Sequence, residues 1–387
     1  MINSRIVKWR VQVEKKLKIG AYYFPNYHAD KHNNEYYYEG WTEWDLMKKA
    51  TPRYEGHQQP KVPLWGYEDE ADPQVMAKKI AVAKEYGVDC FIFDAYFYAG
   101  RETFLDRCLD EGFLKAENCK DIEFALMWAN HKWSDIHPWD GNKPFKLRFD
   151  DIISEEDFVS ITDYIIDNYF VQPNYLRYEG KLYFSFYQVD NLVQQFHGID
   201  AVKKLFDGFK ERAREKVGEL HINVIAGECA ILPGEKIDLN YDNLKALGVD
   251  SITSYTWLHM FQADTFPAYP YADIRDKYIG VVGEIMDKSP LTYIPNVSMG
   301  WDSSPRCTDE KEYSFIGYPF CPALRENTPK EFGIAMKEIS ECAVDKMNSP
   351  FVLINAWNEW TEGSYLEPDE INGYGYLEEI KNVKNDR

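Results

Sequence analysis

The 387-residue sequence has few cysteines and no pattern among them. The seven, Cys90, Cys108, Cys119, Cys229, Cys307, Cys321 and Cys342, are odd in number, scattered and free of any C-x-x-C pair. That spacing argues against a disulfide framework and a zinc site and fits a reducing compartment. No apolar run is long enough to span a bilayer, and Met1 to Leu17 has no continuous hydrophobic stretch of the signal-peptide kind. The chain as given therefore reads as cytoplasmic, with no membrane span; a removed signal would leave the same sequence. Cationic excess is also missing. With a net charge of −20 and no Lys/Arg cluster, the surface repels nucleic acid and anionic membrane. No Gly-rich phosphate loop follows a strand, no G-x-S-x-G elbow occurs, and there is no D-x-D. Apart from His28 and His32 the histidines are isolated, so no metal site is expected. No cofactor is expected either.

What the sequence has in quantity is aromatic side chains, 28 Tyr, 22 Phe and 11 Trp. Many lie in polar, loop-like surroundings. Flat apolar faces with polar edges suit the C–H faces of sugars, although extra core filling explains the same composition.

Eight apolar, β-branched or aromatic runs recur along the chain: Lys18–Phe24, Val88–Phe97, Ile122–Asn130, Leu182–Tyr187, Ile222–Gly227, Ser251–Tyr255, Leu291–Met299 and Phe351–Trp357. Near-continuous apolar strands are those buried on both faces of a parallel sheet. Helical patterns separate them. Asp72-Pro73 opens one helix that Gly87 closes, Ser154 with Asp157 opens a second, and Thr328 to Glu331 forms a capping box for a third. Further helices are expected near Thr103, Ala201, Leu244 and Ile274. The pattern predicts an α/β fold, a single (β/α)8 TIM barrel over 18–387 with long loops at its C-terminal face. Residues 1–17 form an N-terminal arm, in which Val7, Trp9, Val11 and Val13 alternate like a short strand. Two loops, His28–Pro63 and His131–Asp151, are long enough to wall a binding site, and both leave the strand ends where barrel enzymes build one.

The eighth run delivers Trp357-Asn358-Glu359-Trp360-Thr361-Glu362-Gly363 to the mouth. Hydrolysis of a glycosidic bond needs an acid for the leaving oxygen and a second carboxylate, and indoles beside such acids lower the local polarity and raise a carboxyl pKa. Two plainer readings compete: a solvated loop pair, and an ion pair with a nearby arginine. The candidate catalytic residues are Glu359 and Glu362. Candidate sugar-binding residues are Trp357, Asn358 and Trp360 beside them, Trp301, Asp302 and Arg306 after the seventh run, and Asp94 and Tyr96 on the second. Trp128 and Asn130, with His131 and Trp133, leave the third; Trp41, Glu43 and Trp44 belong to the first long loop. Tyr22 and Tyr23 alternate in direction, so one alone can face the site, and Tyr23 is the candidate. Glu228, Tyr255 and His57 are minor candidates.

Asn358-Glu359-Trp360-Thr361-Glu362-Gly363 resembles the NEWxEG motif of glycoside hydrolase family 99, and the whole chain is similar to the related WbsX-type group, labelled as polysaccharide-biosynthesis glycosyltransferases. Matching segments run from Tyr22-Tyr23-Phe24-Pro25 through Gly40-Trp41-Thr42-Glu43-Trp44, Gly56-His57-Gln58-Gln59-Pro60, Trp128-Ala129-Asn130 and Gly300-Trp301-Asp302-Ser303-Ser304-Pro305-Arg306 to Glu367-Pro368-Asp369. The resemblance implies a (β/α)8 barrel and metal-independent retaining hydrolysis of a glycan. It also implies Glu362 as general acid/base and Glu359 as a base on the sugar 2-hydroxyl, through an epoxide-like intermediate. A glycosyltransferase and a non-catalytic sugar-binding barrel are the alternatives.

Overall fold

A computed structural model describes residues 15–142, 144–226 and 241–386. Eight parallel strands close into a barrel: β1 (Lys18–Tyr23), β2 (Cys90–Tyr98), β3 (Glu123–Trp128), β4 (Lys181–Phe186), β5 (Leu220–Ile225), β6 (Ser251–Thr253), β7 in two halves (Thr292–Ile294 and Asn296–Ser298) and β8 (Phe351–Asn355). Each predicted apolar run holds one of them. β1 pairs with both β2 and β8, which closes the ring on one side. On the other side the first half of β7 pairs with β6 and the second half with β8. Pro295 divides β7 because it has no N–H for the ladder, yet its carbonyl still accepts from Leu353 N at 3.0 Å.

Helices α1 (Pro73–Tyr86), α2 (Glu155–Ile165), α3 (Ile199–Lys216), α4 (Tyr241–Ala246), α5 (Tyr271–Lys288), α6 (Pro329–Lys346) and α7 (Gly375–Asn385) surround the strands. The capping signals act as the sequence implies at α1, where Asp72 accepts from Gln74 N and Gly87 takes φ 91°, and at α2, where Ser154 and Asp157 cap each other. At α6 half the expected box forms. Thr328 accepts from Glu331 N, but the Glu331 carboxylate turns to Arg275, a stronger partner than a backbone N–H. No α-helix forms near Thr103. Glu102–Phe104 instead folds back antiparallel on β2, followed by a short π-helical turn at Cys108–Phe113.

Both long loops carry structure of their own. His28–Pro63 contains two short helices, Lys31–Tyr36 and Trp44–Lys49, and His131–Asp151 contains a hairpin of Trp133–Asp135 with Lys146–Phe149. The alternation proposed for Val7 to Val13 lies outside the described residues. One hydrophobic core runs from the barrel interior through its helices, and a small cluster of Trp139, Cys307 and Phe320 ties two of the mouth loops together. Among the described residues, no helix is long and apolar enough to cross a membrane.

Candidate active site

Where β8 ends, the chain makes a tight hairpin, Asn358–Glu359 against Ser364–Tyr365, around a single 3-10 turn of Trp360–Glu362. Local sequence dictates this shape. Gly363 closes the turn at φ 63°, and a Cβ there would lie 2.8 Å from Asp302 Cβ, so no other residue fits. Asn358 ties the hairpin to β1 by donating to Phe24 O at 2.7 Å and accepting from Phe24 N at 2.8 Å. Trp360 stacks on Tyr365 at 3.7 Å. Trp357 and Trp360 donate their indole N–H groups to the two oxygens of Glu367, at 2.9 and 2.8 Å. Lys79, 1% exposed, pairs with that same carboxylate. The two motif glutamates thus stand on a turn held from beneath on every side.

Above the turn, Arg306 holds both glutamates at once. Its Nη1 donates to Glu362 Oε1 at 2.7 Å and its Nη2 to Glu359 Oε1 at 2.7 Å. Nη2 also reaches Glu43 Oε2 at 3.1 Å. Tyr318 donates to Glu362 Oε1 at 2.6 Å, and the Thr361 hydroxyl bridges Glu43 and Glu359. Among the described residues Oε2 of neither Glu359 nor Glu362 has a partner, and both side chains line a cavity of about 850 Å³. The plainer reading, an arginine ion pair, and the functional one therefore coexist: the acids are paired and still face the cavity.

One guanidinium among three buried carboxylates leaves excess negative charge. Burial pushes Glu359 well above the usual carboxylate range and raises Glu362 less, because Arg306 and Tyr318 both donate to it. Glu43 is buried too, but Arg306 and His137 hold it down at about 2. The acids titrate as a coupled set rather than as separate groups. Asp94 is pushed well above its usual value by burial and then by Glu362, and its Oδ1 is buried at the cavity wall without a partner among the described residues.

The structure brings together six of the sequence candidates on the cavity lining: Glu359, Glu362, Asp94, Tyr96, Trp301 and Arg306. Tyr255, His131 and Trp133 join them. The others serve the site from behind, which corrects their expected role. Tyr23 points out of the barrel and donates to Glu70 at 2.9 Å, while Tyr22 takes the inward face, its ring edge-on to Tyr255. Trp41 is buried in a stack with Tyr37, and Trp44 donates to Glu68 O beneath Tyr27. Glu43 is fully buried under Arg306. Trp128 is a core residue donating to Phe97 O, and Asn130 staples the ends of β3 and β4 through Gln188 N and O. Asp302 accepts from His57 at 2.8 Å and Gln59 at 2.7 Å, which anchors the first long loop and makes His57 a brace. Trp357, Asn358 and Trp360 form the buried base described above. Glu228 lies outside the described residues.

Sequence reasoning missed Phe24, His137, Tyr187, His259 and Tyr318 on the lining. Tyr187 closes a predicted strand and carried a usable positional signal. Tyr318 sits deep in the loop after β7, with nothing in its surroundings to single it out. No group of His, Cys, Asp and Glu among the described residues is arranged to hold a metal ion.

Comparison with known proteins agrees with this architecture. A solved endo-alpha-mannosidase of glycoside hydrolase family 99 from Bacteroides thetaiotaomicron superposes with a TM-score of 0.56 at 16% identity, covering 95% of this chain and 96% of that one. A structure described as a glycoside hydrolase-like protein gives 0.58, also at 16% identity, covering 99% and 97%. These likenesses are of fold. The uncharacterized protein WxcX of Xanthomonas campestris pv. campestris strain B100 is 27% identical over 372 residues, 92% of this chain and 48% of its own length. The chain thus spans about half the length of the curated relatives it matches. The family described as "Glycosyltransferase WbsX" matches residues 19–380, and the chain belongs to that family.

Proposed function

We propose that this chain is a retaining glycoside hydrolase that cleaves an O-glycosidic bond within a glycan. One observation carries the reading: two buried carboxyls, three positions apart on a rigid turn at the barrel mouth, each turn an unpartnered oxygen to the same large cavity. In the assignment that the family 99 resemblance supplies, Glu362 gives its proton to the leaving glycosidic oxygen. Glu359 takes the proton of the 2-hydroxyl, whose oxygen closes on the anomeric carbon. Water then opens the epoxide-like ring, Glu362 receives the water's proton, and Glu359 returns its own to the 2-oxygen.

The lining supports a chain-like substrate. Trp133 follows β3 and Trp301 follows β7, strands on opposite sides of an eight-stranded ring, so stacking surfaces flank the glutamates on two sides. That favours attack inside a glycan over removal of end groups. Expressed protein offered a panel of bacterial and plant polysaccharides should release oligosaccharides, with retained configuration at the new reducing end by NMR. Glu359→Gln and Glu362→Gln should abolish release and keep binding; full turnover in either variant sinks the mechanism.

The family's name favours a second reading, a glycosyltransferase of polysaccharide biosynthesis. Charge weighs against it. Among the described residues, the cationic side chains on the lining are Arg306, which is committed to three carboxylates, and Lys132, which faces Asp150 at 3.7 Å. A nucleotide diphosphate would meet carboxylates rather than free cations. Calorimetric binding of sugar nucleotides would reverse this preference.

A further inference from the structure

We propose that Glu43, buried beneath Arg306 and off the cavity lining, is the positioning residue that keeps one proton on the Glu359–Glu362 pair. Glu43 is 0% exposed and collects four donors: Arg306 Nη2, the Thr361 hydroxyl, Asn26 Nδ2 at 3.0 Å and His137 Nε2 at 2.9 Å. A carboxylate so surrounded stays ionised. Burial lowers the pKa of His137, so that ring contributes an N–H and no charge. Glu43 therefore takes a share of the single positive charge of the cluster, which stands 2.7 Å from Glu359 and Glu362 and 3.1 Å from Glu43. Glu359 and Glu362, sharing the same guanidinium, are left with less compensation than two ionised carboxylates need in a buried site. One proton remains on them.

Groups from the other packed elements push the same way or are silent. Asp94 of β2 faces both acids and disfavours their ionisation. Tyr27, Tyr96, Tyr187, Tyr255 and Tyr318 surround the cluster with burial-raised pKa values and stay neutral. Arg148 faces His137 and helps to keep it uncharged. Glu43 touches no cavity surface, so its part is played through Arg306 and Thr361. The chemistry proposed above requires one protonated and one ionised carboxyl together, which is the proton count this arrangement selects; the donors on Glu362 favour Glu359 as the resting holder, so the proton must pass to Glu362 before the leaving oxygen takes it.

The proposal rests on the hydrolase reading for its kinetic test and is independent of it for its spectroscopic one. In Glu43→Gln, the charge of Arg306 is shared by the pair alone and a neighbouring negative charge is gone, both acids ionise more readily, and the alkaline limb of the kcat–pH profile should move to lower pH by about one unit or more. On that limb the rate falls on the order of tenfold, with KM nearly unchanged, and Glu43→Asp, which keeps the charge, should move the limb back. A Glu43→Gln protein that is folded and slower, with both limbs unmoved, overturns the proposal. The second measurement needs no Glu43 variant. Carboxyl ¹³C NMR of wild-type protein at neutral pH, assigned with Glu359→Gln and Glu362→Gln, should show Glu43 ionised and one proton shared by the pair. A pair fully ionised at neutral pH, or a protonated Glu43, overturns the proposal whether or not a glycan is ever cleaved.

Discussion

Lys79 and Glu367 form an ion pair of 2.5 Å in the protein interior, with side chains 1% and 3% exposed. Lys79 lies on α1 and Glu367 just beyond the Trp360–Glu362 turn, so the pair fastens the outer helix to the base of the candidate site. Glu70 is the lysine's second partner, at 2.6 Å. Removing the cation would leave two buried carboxylates without compensation. Lys79→Met should cost about 3–5 kcal/mol in urea unfolding. Glu367→Gln should also destabilise, since it removes the charge opposite Lys79 and spoils one of two indole acceptors. A Lys79→Met protein within about 1 kcal/mol of wild type would mean that the cluster is not a structural base.

The lining separates two tryptophans, Trp128 and Trp133, that the sequence places together at the end of the third apolar run. Trp133 lines the cavity and its buried indole N–H has no partner among the described residues, while Trp128, a few residues earlier, is a core residue donating to Phe97 O. Trp133→Phe should keep the stacking face and lose the donor; Trp133→Ala should lose both. Glycan affinity, measured in the Glu362→Gln background, should fall about tenfold in Trp133→Ala. Trp128→Phe should lower the melting temperature and leave affinity unchanged. Equal affinity in Trp133→Ala and its parent would remove that wall from the binding site.

The contrast shows what was legible in the sequence. Strand positions follow from local apolar runs, so each of the eight barrel strands overlaps a predicted segment, with β2, β4 and β5 running one or two residues past its end, and the caps of α1 and α2 follow from short-range signals. Direction at the site is harder to read. Near a closed barrel end, aromatic and acidic residues serve both the cavity and the layer beneath it, and a residue's side depends on partners far along the chain. Tyr23 turns to Glu70 and Glu43 to Arg306, at separations of 47 and 263 residues. Asp302 was expected at a sugar and is instead claimed by His57 and Gln59. The absence of a helix near Thr103 has a local origin instead, since Glu102–Phe104 pairs with the end of β2 across a tight turn.

Buried histidines give the fold a sensitivity to acid. Burial lowers His28 to about 3 and His221 and His259 to about 4, from an ordinary 6.5. His28 is fully buried, and the nearby Arg107 charge opposes its protonation as well. Because the folded values lie below the unfolded ones, the unfolded chain binds more protons between them. Stability is therefore lost as pH falls from about 6.5 toward 3–4. Urea midpoints should drop steadily from pH 7 to pH 4, and the slope should become shallower in a His28→Gln variant. A slope identical to wild type would show that His28 does not titrate on unfolding.

The glutamate pair has the opposite sign, and it yields the last test. Burial raises the folded pKa values of Glu359 and Glu362 above the ordinary 4.5, so the folded state prefers their protonated forms. The stability contributed by the raised value is fully present below pH 4.5 and is lost as pH rises through the folded titration of the pair. Above that range the ionised pair is a burden on the fold. An isosteric neutral side chain should relieve it, because Arg306 retains Glu43 and Glu362 as partners. Glu359→Gln should thus be more stable than wild type at pH 8 by on the order of 1 kcal/mol, with the difference shrinking toward zero near pH 4. Residues kept for packing alone do not behave this way: their removal costs stability at every pH. A Glu359→Gln protein that is less stable than wild type at pH 8, by the same margin as at pH 4, would show that Glu359 is an ordinary structural ion-pair partner of Arg306 and not a strained acid held ready for chemistry.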